Sequence, residues 1–191
     1  MTDIDTEFLC LTNDEIELLC ACVGKELIGI EGTSFLFSDN SVVTISHNRR
    51  LDVPFDGDDG IFLDEGGVFR ISKERLYQNV CDIEAITHEE LPVPHIVKKV
   101  YVLNETIAYP AHSEKEKPLS FIHTYGIVFG FSGVIDEDDG EVMYYYYLQQ
   151  VSPWGAESLE YGIAANTFTP NNQRWAWGDP NLYSTSMIRV G

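Results

Sequence analysis

The chain has 191 residues, 44% of them hydrophobic, which is long and apolar enough for one domain with a sizeable core. Asp and Glu number 31 against 12 Lys and Arg, a formal charge of −19. That balance disfavours nucleic acid, whose phosphates need Lys and Arg to displace counterions, and anionic membrane surfaces, while it attracts and steers basic partners.

Four cysteines, Cys10, Cys20, Cys22 and Cys81, form no C-x-x-C pair and read as free thiols of a reducing compartment. The opening MTDIDTEFLCLTND has no basic region followed by an apolar run, and no uninterrupted apolar stretch of about 18 residues occurs. The expectation is a cytoplasmic protein.

The first element is a helix over 12–23. Thr12 is a fitting N-cap, and Glu15, three residues on, completes a capping box. Leu11 and Ile16 occupy the staple positions, and Asp14, Glu15 and Glu17 sit where the helix dipole favours anions. Ile16, Leu19, Cys20 and Val23 form an apolar stripe, and Gly24 suits the C′ stop.

Strand patterns follow. Residues 27–31 alternate weakly. Residues 34–46 read as a hairpin around Ser38-Asp39-Asn40-Ser41, because Asp and Asn tolerate turn backbone angles. Residues 47–59 are polar and broken by Pro54 and Gly57, which predicts a loop. A second hairpin is expected over 61–63 and 68–71, turning at Asp64-Glu65-Gly66-Gly67. Ser72 can cap a short helix to about residue 80, and 82–90 suits either a short helix or an edge strand.

Pro92 and Pro94 interrupt the chain before a β-rich run over 95–103, which 105–109 continues or pairs with. Residues 110–118 read as a charged loop. The strongest strand pair is 121–134 with 142–151, joined by the acidic turn Asp136-Glu137-Asp138-Asp139-Gly140. Residues 144–147 are four consecutive tyrosines, whose rings alternate faces in a strand, so that one pair enters a core and the other faces solvent or a partner. After Pro153 the chain looks irregular until a closing strand over 183–190. Hairpins without βαβ alternation give an α+β fold in a single domain, 1–191: a mainly antiparallel twisted sheet or sandwich with an N-terminal helix and one or two short helices.

The candidate chemistry fails test after test. An EF-hand loop wants Gly sixth and a bidentate Glu twelfth. Counting from Asp136 puts Gly140 fifth and Tyr147 twelfth, and counting from Asp56 puts Gly60 fifth and Gly67 twelfth, so no metal is expected. The histidines (His47, His88, His95, His112 and His123) show no zinc spacing. Gly126, Gly130 and Gly133 lack dinucleotide spacing and read as in-strand bulges or bends. No cofactor is expected. Lys98-Lys99 and Arg49-Arg50 are the only basic doublets, too little cation for the aromatic residues to serve as a nucleic-acid stacking surface.

The surface instead suits a protein partner. Carboxylates supply steering and pairing, and aromatics supply burial. The expected partner-binding residues are Asp56, Asp58, Asp59, Asp64, Glu65, Asp136, Glu137, Asp138, Asp139 and Glu141, with Tyr145, Tyr147 and Trp154 beside them.

The acidic composition, the capped helix, the run 24–30 (GKELIGI) and the run 35–45 (FLFSDNSVVTI) together resemble the small immunity proteins of bacterial toxin systems, including the contact-dependent growth inhibition type. The resemblance implies a non-enzymatic inhibitor that binds one cognate toxin, often a basic RNase or DNase, and occludes its active site. It carries over no functional residue. One alternative is a nucleic-acid mimic acting on a host DNA-binding or defence enzyme. Another is an enzyme with a Cys/His site among Cys81, His88 and His123.

Overall fold

The structure, a computed structural model, describes residues 5–31, 33–57, 60–75, 93–109, 118–134, 141–150, 159–170 and 183–191. Its element order is β1 (Asp5–Leu9), α1 (Asn13–Cys20), β2 (Leu27–Glu31), β3 (Ser34–Phe37), β4 (Ser41–Gly57), β5 (Gly60–Arg75), β6 (Val93–Tyr109), β7 (Leu119–Val134), β8 (Glu141–Gln150), β9 (Leu159–Ala165) and β10 (Tyr183–Arg189).

The capping box forms as its residues dictate. The Glu15 N–H donates to Thr12 Oγ1 at 3.3 Å, and the Thr12 N–H donates to Glu15 Oε2 at 2.7 Å. The same carboxylate accepts the Ile71 N–H on its other oxygen at 3.0 Å, so the cap also ties α1 to β5. The helix ends at Cys20 with Ala21 as its C-cap, earlier than the expected residue 23. Tight i−3 bonds from the Cys22 and Val23 N–H groups take over from the helix. Gly24 does have positive φ, +84°, but it lies past this turn and donates to the Val97 carbonyl rather than closing the helix.

The strands form two sheets. One runs β10-β6-β7-β8-β9 with β1 on β7, and the other runs β2-β3-β4-β5. All the pairings are antiparallel except β1 with β7, which is parallel, Leu9 standing opposite His123. Among the described residues the fold is therefore mostly antiparallel sheet with one short helix. Phe35, Phe37, Ile45, Phe69 and Ile71 of the smaller sheet share a core with Val97, Val100, Ile127, Phe129, Phe131, Tyr144 and Tyr146 of the larger, and Leu19 of α1 joins them. Phe35 packs 4.7 Å from Phe129 and edge-on to Tyr146 at 5.6 Å between ring centres. Burying side chains of this size stabilises the fold by about 1.5–3 kcal/mol each.

Several expectations are corrected. Residues 47–59 are not a loop: up to Gly57 they continue β4, whose register with β5 runs from Ser41↔Arg75 to Gly57↔Gly60. Asp64-Glu65-Gly66-Gly67 is accordingly not a turn but the middle of β5, opposite Val53, Leu51, Arg50 and Arg49. Residues 72–75 complete that strand instead of starting a helix, and 76–92 lie outside the described residues. β1 and β9 are strands where none was expected. The hairpin over 34–46, the single run over 95–109 and the closing strand do form.

Candidate functional site

Alternation along β8 divides the tyrosine run. Tyr144 and Tyr146 enter the core between the sheets, while Tyr145 and Tyr147 stand on the opposite face with Tyr101, Leu103, Tyr125, Val128 and Phe168. Register aligns Arg189, Tyr101, Val128, Tyr147 and Gly162 in one row across five strands. Lys99, Gly130, Tyr145 and Ala164 form the next row.

The glycines explain how the rings lie. A methyl group at Gly130 would meet Tyr145 Cε1 at 3.2 Å, and one at Gly162 would meet Tyr147 Cζ at 2.7 Å. Each tyrosine ring thus lies across a glycine of the neighbouring strand, covering backbone that has no side chain of its own. Tyr147 also packs on Phe168 at 5.3 Å, and burial, then the Glu160 charge and hydrogen bond, raise its phenol pKa.

The glycines expected to mark bulges do sit beside register breaks. Leu103↔Gly126 is followed by Asn104↔Thr124, so Tyr125 is an extra residue on β7; Val97↔Phe131 is followed by Lys99↔Gly130, so Lys98 is extra on β6. Tyr125 is fully buried.

The expected partner-binding residues do not all come together. Tyr145, Tyr147 and Glu141 share β8, where Glu141 pairs with Val134 at the end of β7. Asp56, Asp64 and Glu65 belong to the β4–β5 ribbon of the other sheet. Asp58, Asp59, Asp136, Glu137, Asp138, Asp139 and Trp154 lie outside the described residues. Among the described residues, no group of three or more His, Cys, Asp or Glu is placed to hold a metal ion, and no helix is long and apolar enough to cross a membrane.

One polar cluster brings together residues from three strands. His123 Nε2 lies 2.9 Å from Glu105 Oε1, both side chains being buried, and Tyr183 Oη donates to Glu105 Oε2 at 2.9 Å. Glu105 and His123 are direct partners across β6 and β7, and Phe121 stacks obliquely on the imidazole at 5.0 Å. Of the Cys81, His88 and His123 set, Cys81 and His88 lie outside the described residues. Glu105 and Tyr183 were missed. The readable signal was Glu105 as the one acid of β6 and His123 as the one histidine of β7, since a buried carboxylate demands a partner.

Comparison of the chain with protein-family models, with curated proteins and with solved structures finds no match in any of the three.

Proposed function

We propose that the protein is a non-enzymatic inhibitor of the immunity-protein kind, acting on a basic protein partner, most plainly a nuclease toxin domain. The observation that carries this reading is the charge of −19. A nuclease that grips phosphate with Lys and Arg offers the complementary surface, and carboxylates placed over it compete with its substrate. In this reading the Asp-rich segment from Asp136 to Glu141 pairs with the partner's substrate-binding cations. Asp56, Asp58, Asp59, Asp64 and Glu65 extend the acidic surface, and Tyr145, Tyr147 and Trp154 supply burial. Support comes from β8, which carries Glu141 and the half-buried Tyr145 and Tyr147 on one strand. Tagged protein isolated from its native cells should retain one enriched protein with a basic domain, identified by mass spectrometry and released by raised salt. Recovery of only acidic or neutral proteins, indifferent to salt, would refute the reading.

A further inference from the structure

On the face of the larger sheet that carries Tyr145 and Tyr147, register sets Leu103, Gly126, Gln149 and Glu160 in one row and Glu105 with His123 in the next. The two rows share that face. A Cβ on Gly126 would stand 2.9 Å from Leu103 Cδ1 and 3.0 Å from Gln149 Cβ, and Glu105 follows Leu103 by two residues on β6. Diagonal neighbours on one face stand about 7–8 Å apart, within reach of side chains as long as His and Gln. The first row runs from the fully buried Leu103 out to Glu160, which is exposed.

Two side-chain atoms here have no hydrogen-bond partner among the described residues, His123 Nδ1 and Gln149 Oε1, although their residues are only 2% and 6% exposed. A buried polar atom left without a partner is costly, so both call for one. Their existing bonds fix what each can do. The Gln149 amide donates through Nε2 to Glu160 Oε2 at 3.2 Å, so its free atom is the carbonyl oxygen. His123 holds Nε2 at 2.9 Å from the Glu105 carboxylate, which places a proton on Nε2 and leaves the lone pair on Nδ1. Both free atoms are therefore acceptors.

The occupant follows from this chemistry. Two acceptors need a group with at least two donors. A carboxylate stands behind each of them, Glu105 behind His123 and Glu160 behind Gln149, which favours positive charge. Tyr147, two residues from Gln149 on the same face, packs on Phe168 at 5.3 Å, and both rings are half-buried, so flat aromatic surface adjoins the row. A guanidinium group meets all three conditions: it is a cation, it is rich in donors, and its plane stacks on rings. Water lacks the charge and the plane, and an ammonium lacks the plane.

We propose that this row is a guanidinium-binding site, with His123 Nδ1 and Gln149 Oε1 as its acceptors and Glu160 at its mouth, and that an arginine side chain of the basic partner fills it. The identity of the donor rests on the function proposed above. The site does not, and it is tested without a partner.

Propylguanidinium chloride is titrated into the full chain labelled with 15N, while NMR follows the His123 ring nitrogens and the Gln149 side-chain amide. Propylammonium at equal ionic strength is the control. Saturable shifts at both residues are expected, with a Kd of about 1–10 mM, in keeping with so small a ligand. Propylammonium should bind at least about tenfold more weakly, and Glu160→Gln, at an exposed position, should weaken propylguanidinium at least about threefold. Gln149→Leu should abolish the saturable shift at His123; if that variant does not fold, Glu160→Gln decides. Shifts that never saturate, an equal response to propylammonium, or wild-type binding by Glu160→Gln overturns the site. At saturation propylguanidinium should also release the captured partner where propylammonium does not. Saturable binding with no basic protein recovered from cells upholds the site and removes the partner's arginine. A basic protein recovered without such binding removes the site and leaves the proposed function standing.

Discussion

The His123 imidazole and the Glu105 carboxylate meet between adjacent strands at 2.9 Å, buried on the face of the larger sheet that also carries Leu103. Tyr183 adds a third strand through the carboxylate's other oxygen. Removing the carboxylate takes a hydrogen-bonding partner from the buried His123 imidazole and ends the Tyr183 bond, at a cost of about 1–3 kcal/mol. Glu105→Ala should lower the unfolding free energy by that amount in urea titrations, whereas Tyr183→Phe should cost about 1 kcal/mol. Equal, small losses for both would mean that the carboxylate is not the hub of the cluster.

The glycines on this sheet predict an order of sensitivities. A methyl group at Gly126 would lie 2.9 Å from Leu103 Cδ1, 3.0 Å from Gln149 Cβ and 3.1 Å from the Leu148 carbonyl oxygen, and the last of these is backbone that cannot swing away. At Gly162 the obstacle is the far end of the Tyr147 side chain. Gly126→Ala should therefore destabilise by about 1–3 kcal/mol and Gly162→Ala by less, thermal melts giving the order. The reverse order would contradict the packing described.

Glu15 links acid stability to the helix cap. Burial raises its pKa, but bonds from the Thr12 and Ile71 N–H groups and the Thr12 hydroxyl, with the Arg70 charge, outweigh it and hold the carboxyl below its ordinary value. A carboxyl depressed in the folded state stabilises fully above its unfolded pKa of about 4.3, and that contribution is lost as pH falls through the lower folded value. Stability measured from pH 7 down to pH 3 should fall less steeply in Glu15→Gln than in the wild type, and Thr12→Ala should cost about 1 kcal/mol at neutral pH. Superimposable pH profiles would remove Glu15 from the account.

Local signals were legible in the sequence, and tertiary ones were not. The cap rests on residues three apart, and the β3–β4 turn rests on Asn40, which adopts φ +61°. β4 was hidden because β3 pairs with it only over Val42–Thr44. From Ser46 onward, the strand paired with it among the described residues is β5 alone, so a polar stretch and Pro54 are tolerated on an open edge. β1 and β9 were hidden for another reason. DTEFL and LEYGIAA have little β propensity of their own and take strand form by docking on β7 and β8. At the candidate site, the split of the tyrosines follows from strand alternation alone. The meeting of Glu105 with His123 depends on a register that Tyr125 shifts by one residue.

The central claim is that carboxylates meet cations at the partner interface, and the dependence of affinity on salt tests it most directly. With the partner captured from native cells, affinity should fall steeply as salt rises, and replacing Asp136, Asp138 and Asp139 together by Asn should weaken binding at low salt and flatten that slope. An affinity indifferent to salt, and unchanged by the three substitutions, would contradict the account.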